Sequence, residues 1–313
     1  MTSYADFHYE FNRYSLFAIV TGIYSMPTVY ILIKLSYYFL YRKNKCYSTD
    51  LHPVLFRQFM IMQIACFFNV CIKFLIFRIP LTGVMTEWCA VTNPSGVLDF
   101  LIFINYAISY SKDFSIILFC GIRLFLMFSL RHDETRIKSL HVIIFPLLIA
   151  FAFILALPRY FSEGECTPLG APFPHGAMII SRGAHDDNDS ETHLYTIIEL
   201  TMKPLTVALV ILSNVFMVWK LRSNKKSNNT IMKKKKTNAE RVLTATMILI
   251  LLPLLVNVII ALFEYSGSFD SIFFIIRSIC IDAQAHIITC YFYLSRSAAK
   301  KTISTSFAAR SDK

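Results

Sequence analysis

Long apolar runs separated by short polar gaps dominate this chain. Seven runs are long enough for a helix to cross the roughly 30 Å hydrocarbon core of a bilayer. They cover residues 15–40, 54–77, 97–128, 140–157, 194–219, 242–263 and 272–294. Within lipid each backbone N–H and C=O must be satisfied inside the segment, so such runs are predicted as helices. Barrel strands need only about ten residues per pass and alternate apolar with polar positions. These runs are longer and do not alternate. The pattern predicts an all-α membrane protein with one seven-transmembrane helix bundle over residues 1–294 and a tail over 295–313.

An odd number of spans puts the two termini on opposite sides, and the basic residues decide which. The gaps after the first, third and fifth spans, with the tail, hold Arg42, Lys43, Lys45, Arg131, Arg136 and Lys138 among others. The largest share is in the gap after the fifth span, which includes Lys233, Lys234, Lys235, Lys236 and Arg241. The opposite set of segments holds only Arg13, Arg78, Arg159 and Arg182. The basic side is expected in the cytoplasm, with the N-terminus outside and the C-terminus inside. Asn188-Asp189-Ser190 is then a glycosylation sequon on the outer side. Cys89 and Cys166 are the two cysteines in predicted outer segments, and an oxidising exterior favours their pairing over two unpaired thiols. The outer stretch 158–193 is rich in Pro, Gly and Asp and shows no recognisable fold.

Composition narrows the function classes. The 313 residues are 55% hydrophobic and 16% charged, against about 25% charged in soluble domains. The net charge of +11 sits in gaps between apolar runs and not on a soluble face, so nucleic acid is not an expected partner. Residues 1–14 are polar and the following apolar run is too long for a cleaved leader, so the first span is expected to act as its own signal. No Cys/His spacing suggests a metal site, and no cofactor is expected.

Ionisable groups inside spans are costly and are therefore functional candidates. Lys34 and Arg57 are placed to snorkel toward the inner surface. Asp99 lies high on the third span, while Lys112 and Asp113 lie near its middle. Adjacent residues diverge by about 100° on a helix, so these two are not expected to pair with each other. Glu199 and Lys203 form an i, i+4 pair on the fifth span, and Asp282 and His286 share a face of the seventh. A small-molecule pocket built from Asp99, Lys112, Asp113, Glu199, Lys203, Asp282 and His286, opening outward, is one expectation; structural ion pairs are the other. Arg123, near the inner end of the third span, is a candidate switch. Pro204 and Pro253 bend the fifth and sixth helices beside the basic loop, so a hinge at Pro253 is a candidate for moving Lys233–Lys236 and Arg241. Residues 295–310 read as a short amphipathic helix on the anionic inner leaflet. Asp282 and His286 lack a nucleophile or metal partner, so an enzyme is not expected. A transporter or ligand-gated channel, using the mid-membrane charges as a relay, is the alternative to a receptor, though the paired broken helices of many transporters are missing.

The general layout looks like a G-protein-coupled receptor, yet the Asp/Glu-Arg-Tyr, Cys-Trp-x-Pro and Asn-Pro-x-x-Tyr motifs of rhodopsin-like receptors are absent. Other residues carry a closer resemblance over nearly the whole chain. They are Ser25-Met26-Pro27-Thr28-Val29-Tyr30, Phe77-Arg78-Ile79-Pro80-Leu81, Arg123 and Tyr291-Phe292-Tyr293. In these the chain resembles the nematode serpentine chemoreceptors of the class gamma superfamily, which includes the class V and class U groups. That resemblance implies a chemosensory receptor of the plasma membrane in sensory cilia, coupled to a heterotrimeric G protein and responding to a small molecule.

Overall fold

The computed structural model describes residues 7–41, 52–92, 95–128, 134–161, 163–170, 173–182, 190–224, 231–265 and 272–311. Helix α1 spans Arg13–Tyr41 and α2 spans Pro53–Lys73. A π-helical turn, Phe74–Arg78, carries α2 on into α3 (Ile79–Leu81), and α4 (Thr86–Thr92) follows. Helix α5 covers Ser95–Phe128 and α6 covers Glu134–Ala156, ending in a 3-10 turn at Leu157–Phe161. Strands β1 (Gly164–Pro168) and β2 (Met178–Arg182) come next, then α7 (Ser190–Asn224), α8 (Ile231–Tyr265) and α9 (Ile272–Ser311).

Seven of these helices have membrane length: α1, α2, α5, α6, α7, α8 and α9. Among the described residues, segments of five of them are long and apolar enough to cross a bilayer: those of α1, α2, α6, α7 and α8. Helices α5 and α9 are as long, but polar side chains interrupt them: Asp99, Lys112, Asp113 and Arg123 on one, Arg277, Asp282, Gln284 and His286 on the other. The outward faces are apolar. Leu16, Ile19, Val20 and Ile23 recur at helical spacing on α1 and are at least half exposed. In water such a stripe is a liability; against lipid it is the ordinary exterior. Residues 295–311 extend α9 without a break, where the sequence suggests a separate amphipathic helix. No proline or glycine lies between Leu294 and Ser311 to stop it.

Packing inside the bundle relies on close contact, because lipid tails are as apolar as leucine. Phe59 on α2 and Phe119 on α5 are fully buried, and the Phe59 ring lies 4.0 Å from that of Phe292 on α9. Polar bonds add specificity. Thr289 donates to Gln63 Oε1 at 2.8 Å, joining α9 to α2. His141 on α6 contacts Gln58 Oε1 at 2.7 Å and Arg57 on its other ring nitrogen. Arg57 is thus partnered within the bundle instead of snorkelling alone.

One end of the bundle is covered. Within the stretch 158–193, where the sequence shows no fold, β1 and β2 pair antiparallel, with Cys166 opposite Ile180. Cys166 is disulfide-bonded to Cys89 of α4, with the two Cα atoms 6.1 Å apart. Gly164 lies so close to α5 that a Cβ there would meet Leu98 Cβ at 2.8 Å. Gly176, with φ +83°, is covered by the Phe7 ring, and Thr86 Oγ1 donates to its carbonyl. Asn12 caps α1 by accepting from the amide of Ser15 at 3.0 Å, and its side-chain amide donates to Thr82 O at 2.9 Å. The N-terminal segment, the end of α3 and the hairpin are therefore one packed cap.

Candidate cavity beneath the hairpin

Below this cap lies a cavity of about 230 Å³. Its walls come from α2, α5, α7, α8, α9, the 3-10 turn and β2. Helix α5 contributes a stripe at three- and four-residue spacing, from Ile102 through Asn105, Tyr106, Ser109 and Tyr110 to Lys112 and Asp113. Eleven residues of rise give the cavity about 16 Å of depth along that helix. Helix α2 adds Asn69 and Lys73, α7 adds Lys203 and Thr206, α8 adds Leu254 and Asn257, and α9 adds Arg277. Ile179, Ile180 and Ser181 of β2 wall it on the hairpin side.

Lys112 Nζ lies 3.2 Å from Asp113 Oδ1, both side chains buried. The sequence argues against that pair from helical geometry. The long lysine stem reverses the outcome, because it can bend toward its neighbour's carboxylate, and two charges in a low-dielectric interior attract strongly. Arg159 of the 3-10 turn is buried and stands 4.4 Å from the centre of the Tyr106 ring.

The seven candidate ligand residues divide. Lys112, Asp113 and Lys203 line the cavity. Glu199 is on α7 one turn before Lys203, but its side chain lies outside the described residues. Asp99 does not line the cavity; its Oδ1 accepts from Gly164 N at 2.6 Å and so ties the hairpin to α5. Asp282 and His286 do not line it either, because their face of α9 is turned toward α1.

There they form a second polar cluster. Asp282 is ion-paired with Arg78 and accepts from the Tyr24 hydroxyl. His286 contacts Thr28 Oγ1 at 2.6 Å and Ser25 Oγ at 3.3 Å, with the Tyr24 ring edge-on at 4.9 Å. Arg78 counts as a loop residue in the sequence pattern. The π-turn keeps it helical and turns it inward, where it is 3% exposed. The Ser25–Tyr30 stretch, through Ser25 and Thr28 on His286, and the Phe77–Leu81 stretch, through Arg78 on Asp282, thus meet on one face of α9.

Sequence reasoning missed the three amides that line the cavity. Asn69, Asn105 and Asn257 are each at least nine-tenths buried, and the side-chain oxygen of each has no hydrogen-bond partner. A search for charges passes over them. The available signal was polar spacing inside apolar helices, Asn69 to Lys73 and Asn105 to Ser109; Asn257 stands alone in an apolar run and carried no such signal.

At the far end of the bundle Arg123 is 2% exposed and donates to Thr244 Oγ1 of α8 at 2.7 Å. Pro253 is buried in α8 between that contact and the cavity-lining Leu254. The side chains of Lys233, Lys234, Lys235, Lys236 and Arg241 lie outside the described residues, though their backbone is the first part of α8. Asn188 also lies outside the described residues. Among the described residues no group of three or more His, Cys, Asp or Glu side chains is arranged to hold a metal ion.

Seven membrane-length helices, a disulfide-anchored hairpin at one end and a polar cavity beneath it define a seven-helix bundle of membrane type. The chain belongs to the serpentine type seven-transmembrane chemoreceptor family Sru, whose family model matches residues 1–302. It is similar to serpentine receptor class U-26 of Caenorhabditis elegans, at 29% identity over 179 residues. That match covers 55% of this chain and 59% of the relative.

Proposed function

We propose that this chain is a chemosensory receptor that takes a small molecule into the cavity beneath the hairpin and signals to a heterotrimeric G protein. The observation that carries the reading is the cavity itself. It is walled by five long helices, holds charged groups, and keeps three buried amide oxygens without partners. Pockets of this kind, apolar walls with a few convergent polar groups, are where bundles bind small molecules. The hairpin end faces outward in this reading, because the basic gaps lie at the other end.

Signal transfer runs along α8. Asn257 and Leu254 touch the cavity, Pro253 weakens the helix by removing one backbone bond, and Thr244 holds Arg123. Nine residues, about 13 Å of helix, separate Pro253 from Thr244. A ligand that fits one α8 position better than another shifts the population toward it. Movement of the lower half of α8 releases Arg123 and opens a surface beside Lys233–Lys236 and Arg241 for the G protein. The test is recruitment of a mini-G protein to the full chain in cells during a small-molecule screen. Recruitment that is abolished by combined substitution of Arg123 and Lys233–Lys236, at equal surface level, is the expected result. Undiminished recruitment in that variant sinks the coupling surface, and compound-dependent current without any recruitment favours a channel or transporter.

A further inference from the structure

We infer that the cavity selects a neutral molecule with an apolar body and at least two hydrogen-bond donors. This inference rests on the receptor reading of the same site and names the chemistry of its ligand. Asn69 on α2, Asn105 on α5 and Asn257 on α8 all line the cavity, and each carries a buried side-chain oxygen with no hydrogen-bond partner. An amide oxygen only accepts, so the group that answers it is a donor, a hydroxyl or an amide N–H. A buried acceptor left unmet bears its full desolvation cost, and a guest that donates to it removes that cost. Three acceptors on three helices call for more than one donor. A guest with a single donor serves one helix. A guest with two joins α8 to α2 or α5, and α8 is the helix along which the signal runs.

Charge and shape narrow the class. The carboxylate among the described lining residues, Asp113, already has Lys112 as its counter-ion at 3.2 Å. An ammonium group would lose its hydration with only amide dipoles to receive it, a cost that neutral hydroxyls avoid. A carboxylate brings acceptors alone and leaves the amide oxygens unserved. Ile76, Ile102, Ile180, Leu254 and Ile281 are buried and give the same space apolar walls, so the body between the donors is apolar. At about 30 Å³ per water molecule, the volume of about 230 Å³ holds roughly eight waters. The ligand class is thus a diol, or its amide equivalent, on an apolar frame of about that many non-hydrogen atoms.

The test uses the full chain in lipid nanodiscs, with empty nanodiscs as the blank, and probes matched in size. Resorcinol, m-cresol and m-xylene carry two, one and no donors. Hydroquinone, p-cresol and p-xylene repeat the series with the donors farther apart. Benzoate and benzylamine are the charged comparators. Binding is read by calorimetry, and coupling from mini-G recruitment in cells. At least one diol is expected to bind at least about tenfold more tightly than its cresol, and the cresol more tightly than the xylene. Asn105→Leu and Asn257→Leu are each expected to reduce that diol to the affinity of its cresol, whose own binding persists as the sign of a folded cavity. The wild-type series decides the matter by itself where a variant does not fold. Xylenes binding as tightly as the diols, or a charged comparator binding more tightly than every diol, would overturn the assignment, and so would failure of every diol to bind. Recruitment by benzoate, benzylamine or a xylene alone leaves the receptor reading standing while the donor assignment falls. Diols that bind yet recruit no mini-G protein leave the donor assignment standing and remove the receptor reading.

Discussion

Two polar regions lie inside this bundle, and they are finished to different degrees. Between α1, the π-turn and α9, Asp282 takes bonds from Arg78 and Tyr24, and His286 is held by Thr28 and Ser25. The Arg78 guanidinium also faces the rings of Phe17 at 5.5 Å and Phe74 at 5.9 Å. The cavity beneath the hairpin has similar burial and more charge, yet its three amide oxygens face space instead of partners. Arg78 Nε and Nη1 are also buried without hydrogen-bond partners, but Arg78 does not line the cavity, and its ion pair with Asp282 fastens the helices together. An open network with room inside accommodates a guest. In the proposed reading, buried charge alone does not mark the ligand site; unmet bonding capacity beside a void does.

The largest effect should come from breaking the Asp282 network. Asp282→Ala leaves Arg78 buried and without its counter-ion, which costs about 3–5 kcal/mol. Thermal unfolding and surface expression should both fall sharply, and the double variant Arg78→Met/Asp282→Leu should recover part of the loss. If Asp282→Ala unfolds like the wild type, this network does not fasten α9. Next in size is Cys89→Ser, which frees β1 from α4 and should cost about 2–4 kcal/mol, read as a lower unfolding temperature. Gly164→Ala should follow at about 1–3 kcal/mol, because the new methyl overlaps Leu98. Its check is faster proteolysis of the hairpin with the helices intact.

The smallest stability effect sharpens the contrast most. Asn257→Leu removes an unsatisfied amide, so stability should change by less than about 1 kcal/mol or even rise. Its ligand response should nevertheless fall about tenfold, corresponding to one lost hydrogen bond of about 1.4 kcal/mol. A variant that unfolds readily would show that Asn257 is a structural residue.

Much of the architecture was readable from the chain. Seven apolar runs mark the membrane-length helices because lipid leaves the backbone no alternative. Cys89 and Cys166 were paired in advance because they stood apart from the other cysteines in exterior segments. Lys112, Asp113 and Lys203 were candidates because charge in a span is costly, and all three face the cavity. Other features depended on three-dimensional detail. The hairpin is two five-residue strands within a polar stretch, and it is stabilised by a distant cysteine and by Asp99. The direction of Arg78 depends on one π-turn, which leaves no periodic trace. Asp282 and His286 share a face, as the spacing says, but spacing does not tell which neighbour that face meets. The amides carry no charge and so escaped a search built on charge.

The central claim is that the open polar region binds and the ion-paired one holds. Mini-G recruitment by a stimulating compound, measured for the wild type and Asn257→Leu at matched surface levels, tests it most directly. A response lost or weakened about tenfold in Asn257→Leu, with an unchanged unfolding temperature, is the predicted result. An unchanged response would contradict it and would place the ligand elsewhere in the bundle.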